Sequence, residues 1–366
     1  MAKKKAESSV KKLSLKTVVL QDMVGKAVKG ASQNKLIPLT SLMAIQLTDG
    51  KLTLITTDQT NTLYITHDKI EGDDFYCVVQ VEQFSKLISR ITSENTVLEL
   101  DGSMLTVKAN GNYKIELPFD EDGELIQYPD PLSEIELDDE PQTVNLSTIK
   151  TILNTNKAAL PVKIEDPVYA GYYVSDKVIT TDSFKICGFY ANMLNEPTLI
   201  SAEFMNLLDV ITDDKISVWK IDDVLVFSTS NCIVYGYVMP GIEDYEIETM
   251  ESLLDEEFES SCKVDKDDFI ALLDRISLFV GEYDEHKVTL TFTDKGIDVS
   301  SKQSSGVETI EYYSHTNKSN YTCQINILEL IQQIKANSAD LIEIQFGNES
   351  SIKLVDGSIV QIISLC

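Results

Sequence analysis

The feature that most constrains this chain is an apolar helical stripe that returns six times. Phe84, Leu87, Ile88 and Ile91 fall at i, i+3, i+4 and i+7, which puts four apolar side chains on one helix face. The spacing recurs at Phe204, Leu207, Leu208, Ile211, at Phe269, Leu272, Leu273, Ile276, and at Ile327, Leu330, Ile331, Ile334. Weaker copies are Leu20, Met23, Val24, Ala27 and Ile149, Ile152, Leu153, where Asn156 breaks the last position. Successive copies start 64, 65, 55, 65 and 58 residues apart, and alternate copies 120 to 129 apart. Such a period marks repeated supersecondary units, here three units of ~120 residues, each of two halves of ~60.

Between the stripes the pattern shifts towards period two. Segments 51–56, 103–108, 224–227 and 359–363 are rich in β-branched and apolar residues and follow Asp49-Gly50, Asp101-Gly102, Asp222-Asp223 and Asp356-Gly357. Short runs of this kind beside Asp-Gly turns predict hairpins. Each half is then one helix plus a few antiparallel strands, and helices that bury their stripes on those sheets give an α+β fold. Two acidic stretches, 130–141 and 243–259, are expected to be surface linkers. They divide the chain into domains at 1–135, 136–255 and 256–366.

The net charge of −28 argues at first against nucleic acid, because phosphate binding needs local Lys and Arg. The charge is unevenly placed. The six helical spans (15–32, 81–91, 146–160, 201–212, 265–280, 326–337) hold ten basic and nine acidic residues, net +1, leaving −29 for the rest. The first three spans alone hold seven basic residues against two acidic. A protein with a helical surface that tolerates phosphates and an outer surface that repels them would be charged in this way. For any single lysine the plainer reading, that Lys and Arg favour helix surfaces, is the stronger one.

Enzyme chemistry finds little support. The three histidines, His67, His286 and His315, lie in polar surroundings away from any metal-ligand spacing. There is no GxSxG, phosphate-binding or dinucleotide-binding motif. The six cysteines are scattered with no CxxC, so free thiols are expected rather than a zinc site or disulfide framework. No catalytic residue, cofactor or metal is expected. The basic N-terminus is followed by no apolar stretch of signal-peptide length, and no run is long enough to span a bilayer, so a cytoplasmic protein is expected.

A family resemblance rests on an ordered set of short motifs. Thr56-Thr57-Asp58, Thr180-Thr181-Asp182 and Thr293-Asp294 recur at matching places in the three units. Asn34-Lys35-Leu36-Ile37-Pro38-Leu39, followed by Leu54-Ile55-Thr56-Thr57-Asp58, resembles the start of the bacterial sliding clamp, the β subunit of DNA polymerase III. Gly171-Tyr172-Tyr173-Val174 and the run 178–185 resemble that family's second domain, and Glu243-Asp244-Tyr245 its Pro-Asp-Tyr turn. The resemblance covers nearly all of the chain after about residue 13. It is to a divergent member, and a bacteriophage copy fits as well as a bacterial one.

The resemblance implies three repeated clamp domains and a head-to-tail homodimer, a ring with helices lining the hole. Double-stranded DNA is encircled without sequence preference, and a polymerase and a clamp loader bind through short linear motifs. DNA-facing residues are then Lys26, Lys29, Lys35, Lys86, Arg90, Lys150 and Lys157. Tyr172 and Tyr173 match family tyrosines at the channel mouth, although a half-buried strand position explains them nearly as well. Carried over residue by residue, the partner pocket consists of Val174, Thr181, Ser183, Phe184, Lys185, Ile186, Ile247, Ser351, Ile362, Ile363 and Leu365. This chain departs from the family at Phe184-Lys185, where His-Arg is common, at Glu243 in place of Pro, and in the tail Ile362-Ile363-Ser364-Leu365-Cys366. The ring seam is expected at Tyr113 and Ile115 against Arg275, Leu278 and Phe279. The competing reading is a non-catalytic repeat scaffold that does not bind DNA.

Overall fold

A computed structural model describes residues 10–32, 36–137, 140–301, 305–316 and 320–366. Each of the six stripes begins on a helix: α1 (Thr17–Ala27), α2 (Val81–Ile88), α3 (Leu146–Thr155), α4 (Ala202–Leu207), then α6 (Lys266–Ser277) and α7 (Ile327–Ala336) after an additional helix, α5 (Ile247–Leu254). Every repeat has the same order, one strand, one stripe helix, then three strands, with an extra two-residue strand in the first and fifth halves, Glu71–Gly72 and Ser314–His315. The leading strand was not evident in the sequence. Phe204, Leu207, Leu208 and Ile211 are buried although α4 has only six residues before a short 3-10 turn. Asn156 does not break the third stripe. It is buried at the next core position and donates its side-chain amide to the carbonyls of Val178 and Cys187, each at 3.0 Å.

All the sheets are antiparallel, and the leading strands are exchanged between the halves of each pair. Lys11–Lys16 of the first half pairs with Asn95–Asp101 of the second, and Phe75–Gln80 of the second pairs with Leu42–Thr48 of the first. The same exchange joins the third half to the fourth and the fifth to the sixth. Exchange within pairs explains why the ~120-residue period is more regular than the ~60.

The last strand of a half follows a different rule. Asn61–His67 of the first half pairs with Cys232–Tyr237 of the fourth, and Lys185–Phe189 of the third with Ile359–Ser364 of the sixth. These pairings build an eight-stranded and a nine-stranded sheet. The last strands of the second half, Asn112–Glu116, and of the fifth, Val307–Glu311, remain at sheet edges.

By mutual packing the chain forms two units. The described residues of Met1–Leu146 with Glu203–Tyr237 hold the eight-stranded sheet; Ser147–Ala202 with Val238–Cys366 hold the nine-stranded one.

Both supposed surface linkers are packed on these sheets. In the first unit Leu132, Ile135 and Leu137 pack against a core cluster that includes Tyr128, just ahead of the stretch. The Tyr128 hydroxyl donates to the Leu42 carbonyl at 3.0 Å and accepts from the Thr57 amide at 2.9 Å. The Tyr64 hydroxyl donates to Asp130 at 2.8 Å. In the second unit α5 buries Met250 and Leu254, and Tyr245 stacks on Tyr173 with ring centroids 5.3 Å apart. Dense carboxylates hid the apolar positions Ile247, Met250, Leu253 and Leu254, which have helical spacing.

Candidate functional site

The Thr-Thr-Asp motifs are fasteners. In the first copy the Thr56 hydroxyl donates to the Ala27 carbonyl at 2.6 Å, holding the end of α1. The Thr57 hydroxyl accepts from the Gln59 amide at 3.0 Å and donates to the Asn61 carbonyl at 2.7 Å. The Asp58 carboxylate accepts the amides of Thr60 and Asn61 at 2.9 and 2.7 Å. The second copy repeats each bond. Thr180 donates to Asn156 O at 2.7 Å, and Thr181 bridges the Ser183 amide and the Lys185 carbonyl at 3.0 and 2.7 Å. Asp182 accepts the amides of Phe184 and Lys185 at 3.0 and 2.7 Å. The turn puts its third residue, Gln59 or Ser183, in the left-handed region at φ 86° and 74°.

In the second unit this turn borders a groove of about 690 Å³. Ser183, Phe184 and Lys185 form one wall, the loop 161–166 a second, and Leu328 and Glu329 in the first turn of α7 a third. Phe184 is 66% exposed and Ser183 beside it is exposed too, whereas Thr181 and Lys185 of the same turn are buried. Lys185 is only 3% exposed and its ammonium meets the Asp182 carboxylate at 2.9 Å.

The expected lining is only partly brought together. Thr181, Ser183, Phe184 and Lys185 lie at the groove or in the turn beneath it. Ile186, Ile247 and Ile362 instead pack in one core cluster with Tyr245 and Met250. Ile363 belongs to a different cluster, against which Leu365 packs. Consecutive residues of one strand point to opposite sheet faces, which separates Ile362 from Ile363. Val174 and Ser351 are buried. Leu328 and Val162 were missed. The signal for Leu328 was an apolar residue off the stripe of its helix; Val162 and Ile164 alternate with charges in a proline-flanked loop.

The expected DNA-facing residues fall into three groups. Arg90 and Lys150 are exposed and make no ion pair with a described residue; Lys157 is also exposed. Lys26 and Lys29 are held by Asp22 and Asp209 at 2.8 and 3.0 Å, and Lys86 by Glu82. The Lys86 hydrogen bond lowers the Glu82 pKa below the usual glutamate value. Lys35 lies outside the described residues. The tyrosine expectation needs correction: Tyr172 is 1% exposed, and Tyr173 is buried against Tyr245. Their strand is buried on both faces, so neither ring is open to stack on a base, and burial raises the pKa of both phenols.

The expected seam residues cluster beside the two edge strands. Tyr113 is exposed and Ile115 buried on Asn112–Glu116. In the second unit Leu278 is 81% exposed, and Phe279 is also exposed. Arg275 makes a double hydrogen bond, at 2.9 and 2.7 Å, to Glu308 on the edge strand Val307–Glu311, which lowers the Glu308 pKa.

No family model matches the chain, and no curated protein matches it in sequence. Its fold is that of bacterial sliding clamps. The β subunit of DNA polymerase from Streptococcus pyogenes superposes with a TM-score of 0.85 at 18% identity, covering 97% of this chain and 99% of that one. The DNA polymerase sliding clamp of Bacillus subtilis gives 0.83 at 16% identity, over 98% and 99%. A sliding clamp from Bartonella birtlesii, solved bound to griselimycin, gives 0.82 at 13% identity, over 98% and 100%. Near-complete coverage at such low identity means that the two-level repeat persists where most side chains differ. Among the described residues no helix is long and apolar enough to cross a membrane.

Proposed function

We propose that this chain is a DNA sliding clamp, a processivity factor that closes as a homodimer around duplex DNA and tethers a replicative polymerase. The reading is carried by the pairing of last strands. The first half pairs with the fourth and the third with the sixth, a step of three. The same step takes the fifth half to the second half of another copy. Those are the two last strands left at edges, and an unpaired edge is a template for further pairing. The contact is head-to-tail, so it must close into a ring or run on as a filament. Fold likeness to whole bacterial clamps supports closure as a dimer, with three domains meeting near 135 and 255.

The protein does no chemistry in this role. Its grip is topological, and a few cations facing phosphates give weak, salt-sensitive attraction without sequence preference. Arg90 and Lys150 are the strongest candidates; Lys157 is exposed as well, and Lys26, Lys29 and Lys86 are already shared with carboxylates. The groove beside Phe184 takes the linear motifs of a polymerase and of a clamp loader. The location is the bacterial cytoplasm, or the host cytoplasm for a phage-encoded copy. Sedimentation at micromolar concentration tests the seam. A dimer is expected, with Leu278→Asp giving a folded monomer; a monomeric wild type contradicts the reading.

A further inference from the structure

We infer that the groove beside Phe184 selects a peptide carrying Lys or Arg next to its apolar anchor, and that Glu329 is the residue that reads this charge. The inference rests on the groove being the partner-peptide site.

The groove has the size of an ordinary ligand cleft, about 690 Å³. Its walls offer apolar surface to an anchor: Phe184 is 66% exposed, Leu328 47% and Val162 90%. Its charge is net negative once internal pairs are removed. Lys185 is buried and taken up by Asp182, so it cannot meet a carboxylate on an incoming peptide. That leaves Lys163 against Glu165, Asp166 and Glu329.

Glu329 differs from the two rim acids. It is half-buried in the first turn of α7, where its backbone amide and that of Leu328 bond the Asn326 side chain at 3.3 and 3.0 Å. Its carboxylate has no hydrogen bond or ion pair with any described residue. The half-buried charge has lost solvation, and the nearby Lys185 ammonium offsets only part of that loss because it is already paired with Asp182, whose own charge opposes Glu329. The helix N-terminus favours its ionised form, so at neutral pH it presents a fixed negative charge inside the groove. Burial opposes that by raising its pKa. A guanidinium or ammonium from a peptide would supply the missing partner, while a peptide carboxylate would meet like charge.

The test uses the full chain and three labelled peptides that share a Leu-Phe anchor and carry Arg, Gln or Glu at the flanking positions. Fluorescence anisotropy should rank them Arg, then Gln, then Glu, with Arg over Gln by about tenfold at low salt. Glu329→Gln should reduce that advantage to about twofold and leave the Gln peptide unchanged. Glu165→Gln, on the exposed rim, should keep the advantage, and Phe184→Ser should weaken all three peptides. The inference is overturned if the Glu peptide binds as well as the Arg peptide, if none of the three binds, or if folded Glu329→Gln keeps the full Arg preference. Retention on circular DNA, measured in parallel, separates the two readings. An Arg preference without retention sinks the clamp reading alone; retention without a preference sinks this inference alone.

Discussion

The turns at 56–61 and 180–185 are built from the same hydrogen bonds, yet only the second has an exposed aromatic residue at a groove. In the first, Asn61 is buried and gives its side-chain amide to Asp58 at 3.0 Å. In the second, the corresponding residue is Lys185, also buried, and the residue before it is the exposed Phe184. The recurrent motif is therefore structural. It ties a helix end to a hairpin and fixes a left-handed residue, and what differs between copies is the side chain set on top. A motif repeated because the fold repeats carries little functional information; its unrepeated neighbours carry more.

The sharpest way to break this comparison is to remove the two aspartates. Asp58→Ala takes an acceptor from backbone amides near the surface and should cost about 1–2 kcal/mol in urea unfolding. Asp182→Ala also strands the buried Lys185 ammonium and should cost about 3–5 kcal/mol. Equal losses would mean that the Lys185 pair adds nothing to the common turn.

A smaller effect, expected to be alike in both copies, comes from the left-handed residues. Gln59→Gly and Ser183→Gly should each stabilise by about 0.5–1 kcal/mol, the left-handed strain relieved less the added chain entropy. A gain at one site and a loss at the other would show that the turns are not equivalent.

The smallest effect is on the groove side of the second turn. Burial raises the Glu329 pKa, so the folded chain holds that proton more tightly than the unfolded chain. Its contribution is favourable below the unfolded pKa and is lost as pH rises through the folded one. Glu329→Gln should therefore be slightly more stable than wild type at pH 7, with the difference vanishing or reversing near pH 4. Identical pH profiles for the two proteins would contradict a desolvated carboxylate.

The fold was legible where periodicity was clean. Four full stripes and the Asp-Gly hairpins all appear where the spacing places them, and residues such as Asp49 and Gly50 adopt the positive φ that a tight hairpin needs. Legibility failed in two physical situations. Strands buried on both faces, such as Gly171–Val174, lose the alternation that marks an inner and an outer side, so Tyr172 looked available when it is core. Acid-rich segments looked like solvated linkers when a few well-spaced apolar or tyrosine residues, Leu132 and Met250 among them, fasten them to a sheet. The groove was half legible. Its turn residues came from the family pattern, whereas Leu328 and Glu329 come from a distant helix that only the folded chain brings near.

The central claim is that the two free edges close a ring whose hold on DNA is topological. The most direct measurement is retention of the loaded protein on nicked circular DNA before and after the circle is cut at one site. Stable retention on the circle and rapid loss from the ends after cutting is the predicted result. Equal retention on circular and linear DNA, or none on either, would contradict it.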